Sequence, residues 1–123
     1  MKKIILVLTV VFILLPIQIV YGTKYTCFPR HYEVFRTKNF YSILLLDTRT
    51  GKLWQFSEDN KDNWHKFSIN KTIVNSSKNG RFTLIPTKNF WNYLLTDTET
   101  GAIWRCQFSL NSPKYRGCIL INP

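Results

Sequence analysis

The sequence is poor in the residues and motifs that mark common cofactor sites. It has only five glycines and two histidines, and it contains neither a His-x-x-x-His nor a Cys-x-x-Cys pair. A glycine-rich phosphate loop and metal-ligand spacing are therefore absent. The acidic segment from Glu58 to Asp62 lacks the central glycine of a calcium loop, which favours a solvated loop. These absences predict a protein without a metal or another cofactor.

Acidic residues are also few. Seven Asp and Glu stand against 17 Lys and Arg, so the formal net charge is +10. Such a charge attracts polyanions through long-range steering, yet no run of four basic residues occurs, which is typical of an ordinary solvated surface. The composition allows a protein or an anionic envelope polymer as partner and predicts no specific nucleic acid.

Residues 1–22 have the composition of a secretory signal peptide. Two lysines precede an unbroken apolar stretch from Ile4 to Leu15, and small or tolerated residues precede Thr23 at the expected cleavage site. The alternative is a retained membrane anchor, because the apolar stretch is near the lower limit of a bilayer span. We predict cleavage, which implies an exported bacterial protein, periplasmic or extracellular, with a mature domain over residues 23–123.

One segment of the mature domain occurs twice. Residues 37–54 read TKNFYSILLLDTRTGKLW and residues 87–104 read TKNFWNYLLTDTETGAIW, with eleven of 18 positions identical. We interpret the match as a duplicated structural unit, with repeat one over about 31–69 and repeat two over about 81–121. The identical positions that define the structural repeat are Asp47 and Asp97, Gly51 and Gly101, and Trp54 and Trp104.

Each unit predicts three or four short strands. Alternating apolar and polar residues place Tyr32 and Val34 inward in one unit, and Phe82 and Leu84 in the other. The next segments are apolar on both faces, so we expect central strands. Asp-Thr-x-Thr-Gly then predicts a tight hairpin, since Asp accepts amide hydrogen bonds and Gly adopts the left-handed conformation. The repeated tryptophans are expected in the core of the third strands, and weaker fourth strands are expected at 64–69 and 117–121.

The chain has three cysteines, Cys27, Cys106 and Cys118, so at most one intramolecular disulfide forms. At the offset of 50 residues, Cys106 aligns with Phe56 and Cys118 aligns with Ser68. If the third and fourth strands are neighbours, a Cys106–Cys118 bridge ties them and contributes on the order of 3 kcal/mol. The alternative is a bridge from Cys27 to either partner.

The Asp-x-x-Thr-Gly run followed by Trp resembles the blades of quinoprotein-type β-propellers, over about 18 residues in each copy. It is also similar to a motif common in short, uncharacterised exported bacterial proteins. The propeller resemblance implies an antiparallel sheet in each repeat. It implies no quinone-dependent activity, because a propeller needs typically four to eight blades and this chain has two.

These patterns predict an all-β fold in which two copies of an antiparallel three- to four-stranded meander follow an N-terminal signal helix. We expect the two sheets to stack as a small sandwich, because two apolar faces are most simply buried against each other. The alternatives are one continuous meander that curls on itself and a ring formed by several chains.

The candidate functional residues form two small sets. His31 and His65, with a nearby Lys, would supply the acid–base pair of a small secreted hydrolase or toxin, but the sequence gives no reason for them to meet. The second set is a candidate binding surface on which tryptophan beside lysine would stack against sugar rings or single-stranded nucleic acid. Its residues are Trp64, Trp91, Lys38 and Lys88.

Without a catalytic constellation, we expect a non-enzymatic binding or accessory factor of the periplasm or cell surface. One alternative is the hydrolase or toxin. Another is a subunit of an envelope assembly, an oligomer joined through exposed strand edges.

Overall fold

The structure is a computed structural model that describes residues 28–122. The predicted signal peptide, its cleavage site and Cys27 lie outside the described residues. A short 3₁₀ helix, Pro113–Tyr115, precedes the last strand. The eight strands are β1 Tyr32–Arg36, β2 Ser42–Asp47, β3 Leu53–Glu58, β4 Trp64–Ser68, β5 Phe82–Pro86, β6 Asn92–Asp97, β7 Ile103–Gln107 and β8 Gly117–Leu120.

The strands form two separate four-stranded antiparallel sheets, in the orders β1-β2-β3-β4 and β5-β6-β7-β8. The predicted all-β fold of two meanders is confirmed, and β2 and β6 are internal strands of their sheets. The first three strands of the two sheets share one register. Leu44 faces Gln55 in the first sheet, and Leu94 faces Arg105 in the second. Equivalent positions of the two sheets can therefore be compared residue by residue.

A tight hairpin turn forms at each Asp-Thr-x-Thr-Gly segment. The carbonyl oxygen of Asp47 accepts the Gly51 amide at 2.9 Å, and that of Asp97 accepts the Gly101 amide at 2.8 Å. Each Asp carboxylate also accepts the amide two residues later, at 3.0 Å. Both glycines have a left-handed backbone, with φ of 75° and 76°, which is the conformation that only glycine adopts without strain.

The core lies between the sheets, which stack face to face. Because side chains alternate along a strand, each sheet offers one inner face to this core. The first inner face contributes Phe35, Leu44, Leu46 and Leu53, and the second contributes Phe82, Leu84, Tyr93, Leu95 and Cys106. Their joint burial is the sandwich packing that the sequence favours.

The expected inward direction of Tyr32 and Val34 is wrong. Their side chains are 47% and 62% exposed, whereas Phe82 and Leu84 at the equivalent positions are 0% and 6% exposed. The physical reason is the direction of stacking. Equivalent side chains of the two sheets point in the same direction. The side of the second sheet that faces the core is therefore equivalent to the side of the first sheet that faces away from the core.

The same geometry separates the two repeated tryptophans. Trp104 packs against the core, with its ring centroid 6.3 Å from that of Phe82. Trp54 lies on the side of the first sheet that faces away from the core, where it is only half-buried. Its expected place in the core is therefore wrong.

A disulfide joins Cys106 and Cys118 across β7 and β8, with an S–S distance of 2.03 Å. The two residues face each other in the register. The equivalent of Cys118 in the first sheet is Lys66, which faces Phe56, and the expected equivalence with Ser68 is wrong. The chain from Cys106 to its partner Cys118 is two residues longer than the chain from Phe56 to its partner Lys66, which shifts the alignment.

Candidate functional site

The structure does not bring His31 and His65 together. His31 lies beside the β2–β3 turn, where its Nε2 is 3.2 Å from an Asp47 oxygen. His65 is the second residue of β4 and lies at the opposite end of the sheet, with its Nε2 2.8 Å from an Asp59 oxygen. Six-residue strands separate these two ends by about 17 Å. Each imidazole therefore has its own carboxylate partner, and no shared acid–base pair is formed.

In the second sheet, Arg81 takes the position of His31. It donates two hydrogen bonds to the carboxylate of Asp97, at 3.0 and 2.9 Å, and Asp97 is only 2% exposed. These hydrogen bonds hold the pKa of Asp97 down at about 2. The guanidinium also pairs with Glu99 at 3.2 Å. The repeated aspartates thus serve the turns in both sheets.

A cleft of about 460 Å³ opens at the His65 end, between the first sheet and the β7–β8 connection. Three of its polar side chains, Ser57, Asp59 and His65, are already engaged. Asp59 accepts hydrogen bonds from His65 and from the amides of Asn63 and Lys61, which hold its pKa down at about 2. The Ser57 hydroxyl contacts Ser42 and Gln55. The lining residues are Tyr41, Ser57, Glu58, Asp59, Asn60, His65, Phe67, Leu110 and Asn111.

This arrangement orders the β3–β4 loop. Among residues 28–122, no three His, Cys, Asp or Glu side chains are grouped closely enough to hold a metal ion.

A more extensive feature is the side of the first sheet that faces away from the core, here called the first outer face. Its apolar residues belong to all four strands, because the register aligns Val34 with Leu45 and Trp54, and Ile43 with Phe56. Three of its large side chains are about half exposed or more: Tyr32, Val34 and Trp64 at 47%, 62% and 52%. The face consists of Tyr32, Val34, Arg36, Ile43, Leu45, Asp47, Trp54, Phe56, Glu58, Trp64, Lys66 and Ser68.

Two lysines lie over the aromatic rings of this face. The Lys66 ammonium is 4.7 Å from the Trp54 ring centroid and 5.6 Å from that of Phe56, and Lys52 is 5.7 Å from Trp54. Lys52 is anchored by donating to the Ser68 hydroxyl and the Asn70 carbonyl oxygen. Burial and the neighbouring Lys66 charge lower the pKa of Lys52. The face thus combines exposed apolar area with fixed positive charge.

Of the four residues in the predicted binding surface, Trp64 belongs to the first outer face. Trp91 packs into the core side of the second sheet, with ring centroids 4.9 Å from Phe90 and 5.0 Å from Phe108. Lys38 and Lys88 are exposed on the β1–β2 and β5–β6 turns. The structure therefore does not combine these four side chains into one stacking surface.

The second sheet has an outer face of its own, here called the second outer face. Ile85 and Ile119 on it are 52% and 61% exposed, and Arg105 is also exposed. The register places these three residues and Leu94 in one row across the four strands. The face consists of Thr83, Ile85, Asn92, Leu94, Thr96, Ile103, Arg105, Gln107, Gly117 and Ile119.

A groove of about 580 Å³ borders the first outer face where the chain enters β1. Tyr32 and Val34 belong to both the groove and the face. The remaining lining residues are Phe28, Pro29, Arg30 and Glu33. The first sheet therefore offers a flat apolar surface with a recess at its edge.

No protein-family model, curated protein or solved structure matches this chain. Over the part of the chain that the structure describes, no helix is long and apolar enough to cross a membrane. The Cys106–Cys118 disulfide is compatible with an exported protein, because such bonds persist in oxidising compartments. The functional assignment therefore rests on the geometry of the two sheets.

Proposed function

We propose that this chain is an exported, non-enzymatic binding protein and that it holds a protein partner on the first outer face. The observation that supports this proposal is the exposure of one continuous apolar sheet surface. Tyr32, Val34 and Trp64 are each about half exposed or more and lie on one side of one sheet. Contiguous apolar surfaces of this kind mark interaction sites in soluble proteins.

The equivalent surface of the second sheet supports the same proposal. There, Phe82, Leu84 and Cys106 are almost fully buried, because the first sheet covers them. The face of the second sheet that is equivalent to the first outer face is therefore already covered by another sheet of the same chain. A neighbouring β surface of complementary shape would remove the exposed apolar area from water, at about 25 cal/mol for each Å² buried.

A protein partner fits the face better than an anionic polymer does. The two lysine ammonium groups of the face lie over aromatic rings, and Lys52 is also engaged by Ser68 and Asn70. The exposed area between them is mainly apolar. A polyanion would be attracted by the charge of the whole chain, and salt would screen that attraction.

The proposal is tested by capture from an extract of the cells that make the protein, with the immobilised chain as bait. Trp64→Glu places a carboxylate on the face, and Phe40→Glu is the matched control, because Phe40 is 97% exposed on the β1–β2 turn. We expect wild type and Phe40→Glu to retain the same protein partner through about 0.5 M salt, and Trp64→Glu to lose it.

A partner that all three baits retain equally would contradict the proposal. So would retention of only a polyanion that about 0.5 M salt releases.

A further inference from the structure

We propose that the protein partner of the first outer face is a second copy of this chain, which docks with its second outer face, so that copies join head to tail. The inference rests on the proposed function, since it names the partner of the same face. It follows from the way in which the two sheets of one chain already stack.

The interface inside the chain is the template for the interface between chains. Within one chain, the inner face of the first sheet packs against the inner face of the second. Equivalent side chains of the two sheets point in the same direction along the axis on which the sheets stack. The second outer face is therefore built from the positions that form the inner face of the first sheet. The first outer face is likewise the equivalent of the second inner face. Among residues 28–122, two surfaces are therefore left without a partner, and they match the two surfaces already joined.

The apolar residues of the docking surface are present at equivalent positions. One row of the first inner face aligns Phe35, Leu44 and Phe67 through the register. The equivalent row of the second outer face aligns Ile85, Leu94 and Ile119. All three positions stay apolar although both isoleucines are more than half exposed. Exposed apolar residues aligned in one row are typical of an interaction surface.

The hairpin turns supply a second contact of the template. Within the chain, the carbonyl oxygen of Thr48 accepts the Phe82 amide at 2.8 Å, and its hydroxyl accepts the Gly80 amide at 2.9 Å. The equivalent threonine, Thr98, is exposed. The equivalent of Phe82 is Tyr32, which lines the groove of about 580 Å³. The turn of residues 97–101 of one copy therefore enters this groove of the next.

A polar contact is the third part of the template. Within the chain, the Gln55 side chain is fully buried and exchanges hydrogen bonds with the backbone of Ser109 at 2.9 and 3.3 Å. The equivalent of Gln55 is Arg105, and the residue at the position of Ser109, 50 residues earlier, is Asp59. The Arg116 guanidinium also donates to the Gln55 side chain and to the Ser109 carbonyl oxygen. Arg105 keeps a donor at the position of the Gln55 amide, so in the contact between copies it donates to the backbone carbonyl oxygen of Asp59.

Arg105 and Asp59 do not meet within one chain. Arg105 is exposed on the second outer face, whereas Asp59 follows β3 of the first sheet. A head-to-tail contact joins two different surfaces, so it generates a closed ring or an open filament and not a symmetric dimer.

The test uses two variants, each of which blocks one surface. Val34→Glu blocks the first outer face and Ile85→Glu blocks the second, and both residues are more than half exposed, so both variants are expected to fold. Phe40→Glu is the matched control. The chain purified from expressing cells is followed by sedimentation velocity from about 1 to about 200 µM. Circular dichroism of each variant verifies the fold.

We expect wild type and Phe40→Glu to form species of two or more chains. Each blocked variant alone should associate at least about tenfold more weakly, because a carboxylate would be desolvated in an apolar contact. An equal mixture of the two blocked variants should form a dimer and nothing larger, since the mixture retains one intact pair of surfaces.

Three results would overturn the inference: a single-chain mass for wild type at every concentration, association that neither blocked variant weakens, and association that only Val34→Glu weakens. The last result would indicate a symmetric contact between two first outer faces, which would leave the proposed function standing. A single-chain wild type that still captures another protein through Trp64 would also separate the two proposals.

Discussion

The two Asp-Thr-x-Thr-Gly turns share their backbone and differ in what surrounds them. Thr48 and Gly51 of the first turn are buried under β5 and the segment that precedes it. Thr98 and Gly101 of the second turn are exposed. A methyl group added at Gly51 would come within 2.9 Å of Phe82 and Ile73, whereas one added at Gly101 meets nothing within 4 Å. The difference shows which turn has a neighbouring sheet.

The exposed second turn is fixed by groups within its own sheet. Asp97 and Glu99 both pair with Arg81, and Glu99 also pairs with Lys78 at 3.1 Å. The buried first turn has the weaker His31–Asp47 contact and gains its order from the covering sheet. One turn motif is thus stabilised in two ways, by packing in the first sheet and by ion pairs in the second.

The sharpest way to break this comparison is to replace each turn glycine by alanine. Gly101→Ala is expected to cost about 1–2 kcal/mol, the strain of a left-handed alanine. Gly51→Ala is expected to cost about 3–4 kcal/mol, because overpacking against the buried Phe82 ring adds to the same strain. Urea denaturation at micromolar concentration measures both. Equal losses for the two variants would show that the first turn is not held by the second sheet.

The sequence predicts the strands and turns well because these depend on local pattern. Alternation, the central apolar strands and the Asp-Thr-x-Thr-Gly hairpin each act within a few residues, and the Cys106–Cys118 bridge needs only neighbouring strands. The direction of stacking is a long-range property. Tyr32 and Phe82 carry the same local signal, yet only Phe82 has a sheet above it. Local pattern alone could not show that one of two equivalent faces is open.

The first outer face was missed for the same reason. Trp54 was expected in the core because it repeats, and a repeated residue is equally apolar whether its face is covered or open. One signal in the sequence points to the face. Apolar residues recur at offset 50 on both sides of the strands, as in Leu44 and Leu94 and in Leu45 and Leu95. Two stacked sheets bury only one side of each, so the pattern leaves two apolar sides unpartnered.

A second way to sharpen the comparison uses the repeated tryptophans. Trp104→Ala removes a ring that packs against Phe82 and the core, and we expect a loss of about 3 kcal/mol. Trp54→Ala removes a ring covered by Lys66 and Lys52 at the surface, and about 1 kcal/mol is expected. Denaturation of the single chain, at a concentration below any self-association, measures the difference. A larger loss of stability for Trp54→Ala would show that packing on the first outer face contributes more to stability than the packing of Trp104 against the core.

The smallest of the three effects concerns the ion pair of the second turn. Asp97 has a folded-state pKa of about 2 against an ordinary value of 3.8, so its ionised form stabilises the fold. That stabilisation is complete above the ordinary value and is lost as the pH falls from about 4 toward about 2. Asp97→Asn is expected to lose about 2 kcal/mol at neutral pH, because its hydrogen bonds to a charged partner are weakened.

The free energy of unfolding, measured from pH 7 to pH 2, should accordingly fall less in Asp97→Asn than in wild type. Both proteins should still lose some stability in acid, because Asp59 also has a pKa of about 2. Asp47→Asn is the matched control in the packed turn. It should cost less at neutral pH, because Asp47 has a single contact of 3.2 Å with the His31 imidazole, whereas Arg81 donates two hydrogen bonds to Asp97. If Asp47→Asn were the more damaging substitution, ion pairing could not be what holds the exposed turn in place.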